Sequence, residues 1–196
     1  MPFIQFKPAE EFFLELARDL TKKLDAVVLC EGTTDVKLLK LVAEEPDANV
    51  GITDCGGLRP LYEVSSYLAA LARVSRRLKC LGVVVNADEH RPADRATALV
   101  RSLSQHSLSV SELESVSDDV FRTSVDEKPL IICVAGLADI PVEKHCIEDH
   151  VVKALVSAGL LSMDQVERVV QGRRQLALVR QKALACLLYT SDAADD

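Results

Sequence analysis

Four short apolar runs, each followed by a stretch with helical spacing, constrain the fold of this chain more than any other feature. AVVLC lacks polar alternation, as expected of a strand covered on both faces, and NVGITDCGG, CLGVVV and PLIICV are the next candidate strands. Strands that alternate with amphipathic helices favour a parallel sheet. We therefore predict an α/β fold, three-layered and Rossmann-like, with a central, mostly parallel sheet of about four strands and flanking helices.

The same patterns divide the chain into segments. Residues 1–24 are predicted to form an N-terminal amphipathic helix, and residues 25–157 the α/β domain. Within that domain, the Ser-, Asp- and Glu-rich stretch 104–128 is predicted to be an irregular insertion. Residues 158–185 are predicted to be a C-terminal helix that is cut short. The final segment 186–196, CLLYTSDAADD, resembles the translation of a sequencing adapter, so we expect it not to be native.

Composition narrows the environment in which the chain works. A net charge of -7 argues against broad electrostatic attachment to nucleic acid, which requires clustered Lys and Arg. The apolar runs fall far short of the roughly 20 residues that span a bilayer. The six cysteines form no CxxC pair, and four of them lie in or beside apolar runs: Cys30, Cys55, Cys80 and Cys133. We expect reduced, buried thiols in a soluble, cytoplasmic protein with no membrane partner.

Acidic residues follow two of the predicted strands. Glu31 comes directly after AVVLC, and Asp88 and Glu89 come just after CLGVVVN. Because the carboxyl ends of parallel strands share one edge of a sheet, we expect these carboxylates to face the same edge. Carboxylates held together repel unless a cation sits between them, and oxygen ligands favour Mg²⁺ or Mn²⁺. The sequence therefore predicts a divalent-metal site able to stabilise charge on a phosphodiester.

Three segments carry a family resemblance. VVLCEGTTDVKLL (27–39) resembles the first Toprim motif, in which a strand ends in Glu-Gly and an Asp follows three residues after the Gly. VVVNADEH (83–90) resembles the strand-terminal Asp-x-Asp motif of the same domain, and CIEDHVVKAL (146–155) an acidic helix start found after the last strand in small stand-alone relatives. Toprim is the catalytic module of topoisomerases, primases and the overcoming-lysogenization-defect nucleases. The resemblance covers roughly residues 25–155.

The resemblance implies roles for individual residues. Glu31 would be the catalytic acid/base or metal-touching glutamate, and Asp88 a catalytic metal ligand. Gly32 would let the backbone turn sharply under the site, and Asp35 would support the ligands from behind. Asn86 stands where the motif has its first aspartate. An amide oxygen still ligates a metal, but it lowers the negative charge of the site and weakens cation binding.

Other residues extend the predicted site. Glu89 is a further candidate metal ligand, and Glu148 and Asp149 either compensate for the missing aspartate or act as acids at a helix N-terminus. Gly56 and Gly57 predict a turn with positive φ, with close backbone approach to a phosphate as the alternative.

The arginines, histidines and tyrosines have different expected roles at this predicted site. Arg91 and Arg95 follow Asp88 closely, and we predict that they hold a phosphate. The histidines show no recognisable ligand spacing, so surface or capping roles are expected for His90, His106, His145 and His150. Tyr62, Tyr67 and Tyr189 are poor candidates for a strand-passing nucleophile.

Three functions remain open from the sequence. The first is a Mg²⁺-dependent nuclease or phosphotransferase acting on DNA or RNA, with an ATPase or another protein as a further partner. The second is a non-catalytic module that binds a metal, a nucleotide or a partner protein, which Asn86 and the acidic balance favour. The third is a phospho-acceptor receiver domain with Asp88 as acceptor. This last function fits less well, because a second acid after the first strand and a Lys after a fifth strand are missing.

Overall fold

A computed structural model describes residues 4–5, 23–42 and 48–170. The strands are β1 Ile4–Gln5, β2 Ala26–Cys30, β3 Val50–Asp54, β4 Cys80–Asn86, β5 Glu114–Ser115, β6 Val120–Val125 and β7 Lys128–Ala135. The helices are α1 Thr33–Val42, α2 Leu58–Val74, α3 Pro92–Gln105, α4 Glu148–Ser157 and α5 Met163–Val170. The chain forms two compact units, the first from residues 1–85 and 90–134, the second from residues 86–89 and 135–196.

The strands form one sheet in the order β1-β3-β2-β4-β7-β6-β5. The neighbours of β2 and β3 are parallel to them, whereas β6 is antiparallel to both β5 and β7. The prediction of an α/β fold with a mostly parallel sheet and flanking helices is confirmed. The predicted number of about four strands is wrong, since the described residues form a sheet of seven strands. The additional strands are β1, β5 and β6, and the first two are only two residues long.

The stretch 104–128 is not the irregular insertion that its composition predicted. Helix α3 extends to Gln105, and β6 pairs with β7 along its whole length. Phe121, Thr123 and Val125 on alternate positions of β6 are buried, as period-two alternation requires. Asp126 and Glu127 connect the two strands with φ values of 46° and 68°, the left-handed pair that a two-residue hairpin favours. The hairpin was missed because its turn contains no Gly.

The core of the first unit lies on both faces of the parallel strands. Cys30, Ile52 and Val84 form a buried cluster with Val36 of α1. Since parallel crossovers are right-handed, the connection from β2 to β3 places α1 on one face, and the connection from β3 back to β4 places α2 on the other. Helices α2 and α3 contact each other, and their buried leucines include Leu61, Leu68 and Leu99. Each fully buried leucine contributes about 1.5–3 kcal/mol.

The second unit has its own small core, in which Ile140, Val152 and Val166 pack together. Helix α5 lies within the predicted C-terminal helix of residues 158–185, whose remainder lies outside the described residues, as does segment 186–196. The predicted helix over residues 1–24 also falls outside them, except that Ile4–Gln5 pairs with β3 as a strand. Among the described helices, none combines the length and hydrophobicity needed to cross a bilayer.

The predicted thiols are free, and two of them, Cys30 and Cys55, are buried. Cys80 and Cys133 are only partly buried. Burial raises the pKa of Cys55 to about 12 and that of Cys133 to about 11. These thiols therefore stay protonated at neutral pH, where the thiolate is the reactive form.

We expect Cys55 and Cys133 to resist alkylation by iodoacetamide at pH 8 in the folded protein and to react readily in urea. With these pKa values, roughly one thiol in a thousand or fewer is ionised at that pH. Peptide mass mapping after quenching measures the modification at each site. Because the pKa of Cys55 is raised above its ordinary value of 9.0, its contribution to stability is complete below pH 9 and is lost as the pH rises towards 12. Equal labelling in the folded and unfolded protein would contradict this expectation.

Candidate functional site

Glu31 lies at the end of β2, the strand from which the chain continues first to the neighbour on one side and then to the neighbour on the other. Strand β2 lies between β3 and β4. The chain leaves β2 through α1 to reach β3 on one side, then returns through α2 to β4 on the other. The carboxyl end of β2 is therefore a topological switch point, where sheets of this kind bind ligands. Glu31 is the first residue after β2, and it is half-buried.

The main chain of Glu31 is fixed from both neighbouring strand ends. Its N–H donates to the carbonyl of Val84 in β4 at 2.9 Å, and its own carbonyl accepts from the N–H of Gly57 at 2.8 Å. The second of these bonds ties the turn after β3 to the end of β2. Both of these bonds use backbone atoms only, so neither of them depends on the side chain of Glu31.

Asp35 and Gly32 act together at the start of α1. The N–H of Gly32 donates to the Asp35 carboxylate at 2.8 Å, and Asp35 is almost completely buried. Gly32 does not adopt a positive φ, and a Cβ atom there would lie 3.7 Å from Oδ2 of Asp35. Asp35 lies in the first turn of α1. It caps the helix and stabilises its N-terminal dipole.

We expect Asp35→Ala to lower the free energy of unfolding by about 1–2 kcal/mol, because it removes a buried acceptor and a helix cap. Asp94→Ala is the matched control, since Asp94 also lies in the first turn of a helix, α3, but is exposed. That change should cost roughly 0.5 kcal/mol. Urea denaturation of both variants measures the difference, and equal losses would contradict the capping role of Asp35.

The predicted glycine turn is confirmed. Gly56 and Gly57 have φ values of 73° and 127°, and a Cβ atom at either position would meet nothing within 4 Å. The two glycines are therefore required by backbone conformation rather than by crowding. Helix α2 begins directly after them at Leu58.

The two predicted phosphate-binding arginines differ in their surroundings. Arg91 is exposed at the residue that precedes α3 and makes no side-chain capping bond to the helix, whereas Arg95 is 7% exposed. Burial raises the pKa of Tyr62 on α2, and the cation of Arg95 opposes that rise. The charge of Glu31 also raises the pKa of Tyr62. Tyr62 thus lies within electrostatic reach of Glu31 and Arg95, a grouping within the first unit that the sequence did not predict.

Asp88 lies in the second unit, in a short bridge with His145. The N–H of each residue donates to the carbonyl of the other at 2.9 Å, which makes an isolated antiparallel pair. Asp88 has a φ of 51°. Residues other than glycine adopt this left-handed conformation rarely, chiefly in turns and in active or ligand-binding sites.

Asp149 is the most deeply buried acid of the second unit. It lies in the first turn of α4 and is 0% exposed. Its Oδ2 accepts from the ring Nδ1 of His145 at 3.0 Å and from the N–H groups of Leu137 and Cys146 at 3.3 Å each. The carboxylate therefore orients His145 and holds the start of α4. A surface or capping role was expected for His145, and its position four residues before an acid at a helix start was the available signal for this bond.

The remaining predicted ligands of the second unit have structural partners. Asn86 accepts a hydrogen bond through Oδ1 from the N–H of Ile147 at 3.3 Å. Glu89 is exposed and forms an ion pair with Lys144, with 3.6 Å between Oε1 and Nζ. Glu148 begins α4 and is half-buried. Asn86 thus uses its side-chain oxygen to connect β4 to the start of α4.

Comparison with known protein families, curated proteins and solved structures found no match to this chain.

The donor set defines the kind of metal site that these residues fit. In the described part of the chain, no three His, Cys, Asp or Glu side chains gather into a metal-binding group. Mg²⁺ is usually held by one or two carboxylates, with water and phosphate oxygens completing its coordination. Glu31 and Asp88 each offer one carboxylate, the donor type that such an ion prefers.

Proposed function

We propose that this chain is a Toprim-like, Mg²⁺- or Mn²⁺-dependent nuclease or phosphotransferase that acts on the phosphodiesters of DNA or RNA. Glu31 and Asp88 are the proposed catalytic carboxylates. The observation that carries the proposal is the position of Glu31, half-buried at the switch point of the parallel strands. A three-layer Rossmann-like arrangement of Toprim type is proposed as the finer description of the fold.

Each residue of the proposed site would have a separate role in the reaction. The bound ion would stabilise negative charge on the phosphodiester undergoing attack. Glu31 would exchange a proton with the attacking or leaving oxygen, a role that suits a half-buried carboxylate held on a rigid main chain. Asp88 would supply a carboxylate oxygen to the ion. Arg91, exposed at the N-terminus of α3, would hold a phosphate together with the helix dipole.

A cleavage screen tests this proposal. The purified chain is incubated with single- and double-stranded DNA and RNA in Mg²⁺, in Mn²⁺ and in EDTA. We expect cleavage of at least one substrate with metal, no cleavage in EDTA, and recovery when Mg²⁺ is added back. Cleavage that continues in EDTA, or that survives both Glu31→Gln and Asp88→Asn, would contradict the assignment.

A second candidate is a non-catalytic Toprim-like module that binds a metal, a nucleotide or a partner protein. The bond from the Ile147 N–H to Asn86 favours it, because the residue in place of the motif's first aspartate is neutral and already serves the backbone. Titration calorimetry with Mg²⁺ and Mn²⁺ separates the two candidates. Cation binding without turnover on any substrate favours the module, whereas absence of cation binding contradicts both.

A further inference from the structure

We propose that His145 is a nitrogen ligand of the divalent ion that the proposed function assigns to Asp88, and that Asp149 is the residue that positions it. The inference rests on that function and adds to it a ligand that the sequence motifs do not contain. It also changes the expected metal, because imidazole suits Mn²⁺ and later transition metals better than Mg²⁺.

One ring nitrogen of His145 is hydrogen-bonded to a carboxylate, as in histidines that bind metals. Oδ2 of Asp149 already accepts from the N–H groups of Leu137 and Cys146, so we infer that Nδ1 of His145 is the donor in their 3.0 Å bond. This leaves Nε2 as the ring nitrogen with a lone pair for a metal. Metal-bound histidines almost always donate their other ring N–H to a carboxylate or carbonyl in this way. The side chain of His145 is 20% exposed and that of Asp149 is 0% exposed, so the orienting group is buried while the ring still reaches solvent.

The pairing with Asp88 brings a second donor residue to the same place in the unit. The two residues exchange both backbone hydrogen bonds and so stand directly opposite each other. An imidazole and a carboxylate, the two donor types that the proposed ion would bind, therefore extend from adjacent points of the main chain.

Gly136 fixes the backbone of His145 from the other side. A Cβ atom on Gly136 would lie 2.5 Å from the Cβ atom of His145 and 3.0 Å from its carbonyl carbon. His145 is therefore held by three features: the bridge to Asp88, the carboxylate of Asp149 and the close approach of Gly136. A histidine that served only to cap α4 would need the bond to Asp149 but neither of the other two features.

Pulsed electron paramagnetic resonance on the Mn²⁺-loaded protein tests the inference without measuring activity. We expect a ¹⁴N coupling from imidazole in the native chain and in His150→Gln, and loss of that coupling in His145→Gln. His150 is a matched control because it lies on α4 in the same unit and is exposed. Circular dichroism confirms that each variant is folded, and absence of the coupling from the Mn²⁺-loaded native chain would overturn the inference even if His145→Gln does not fold.

Asp149→Asn provides a second measurement, since an orienting residue acts through the ligand that it holds. We expect Mn²⁺ affinity to fall by about 10- to 100-fold while the ¹⁴N coupling persists at saturating metal. Bound Mn²⁺ without ¹⁴N coupling would overturn the role of His145 and leave the proposed function standing. Coupling with no cleavage of any nucleic acid would support His145 and overturn the nuclease. No Mn²⁺ binding would overturn both.

Discussion

Replacing Glu31 with glutamine is expected to slow Mg²⁺-dependent cleavage by roughly 100-fold or more, the usual contribution of one proton-transferring or charge-stabilising group. Glutamine keeps the size of the side chain but removes its charge and its ability to take up a proton. The backbone bonds of residue 31 to Val84 and Gly57 do not involve the substituted atoms, and circular dichroism checks that the variant is folded. Cleavage rates measured at saturating Mg²⁺ separate lost chemistry from weakened metal binding.

Glu63→Gln is the matched control for this change. Glu63 lies on α2, is largely exposed, and pairs only with Arg59 one turn away at 3.5 Å. Exposed pairs of this kind contribute little, so this variant should cleave at the native rate. Equal losses in the Glu31 and Glu63 variants would point to a general charge effect and contradict a specific role for Glu31.

The order of strands and helices followed from local pattern, which explains why it could be predicted. Unalternating β-branched runs such as Ala26–Cys30 have to be buried on both faces, and only helices on both sides of a parallel sheet achieve that. The placement of Glu31 then followed from connectivity alone. The glycine turn at Gly56 and Gly57 was equally local, since few other residues tolerate its φ values.

Strand β6 could not be predicted in the same way. Its sequence alternates buried Phe121 and Thr123 with polar residues, so it has no continuous apolar run, and its register is set by pairing with β7. The register of a half-exposed antiparallel strand depends on which of its faces is buried and on the strand with which it pairs. For β6 that strand is β7, on the other side of the turn. The composition of residues 104–128 therefore resembled a loop.

The parts of the site that the sequence missed depend on contacts between distant segments. Tyr62 is grouped with Arg95 because folding brings together two residues that are 33 positions apart in the chain. His145 gained interest because the segment after β4 pairs with it at Asp88. Neither contact leaves a spacing that a motif search detects. Functional residues brought together by folding require coordinates, whereas residues fixed by one strand end do not.

Replacing Gly136 with alanine is expected to lower the free energy of unfolding by about 3 kcal/mol, through backbone strain and overpacking together. Gly136 has a φ of 142°, a region that residues with a Cβ atom rarely adopt. The new methyl group would also lie 2.5 Å from the Cβ atom of His145, closer than any ordinary contact. Because the obstructing atoms belong to the main chain and Cβ of His145, a change of rotamer does not relieve the clash. Urea denaturation measures the loss.

Gly159→Ala separates the two causes of this destabilisation. Gly159 also has a positive φ, 71°, but a Cβ atom there would meet nothing within 4 Å. Gly159→Ala should therefore lower the free energy of unfolding only through backbone strain, by about 1–2 kcal/mol. The excess loss in Gly136→Ala then measures how firmly His145 is held between Asp88 and Asp149. Equal losses in the two variants would mean that the backbone of His145 yields to the methyl group, and a histidine that yields so easily would be a poorly positioned ligand for any ion.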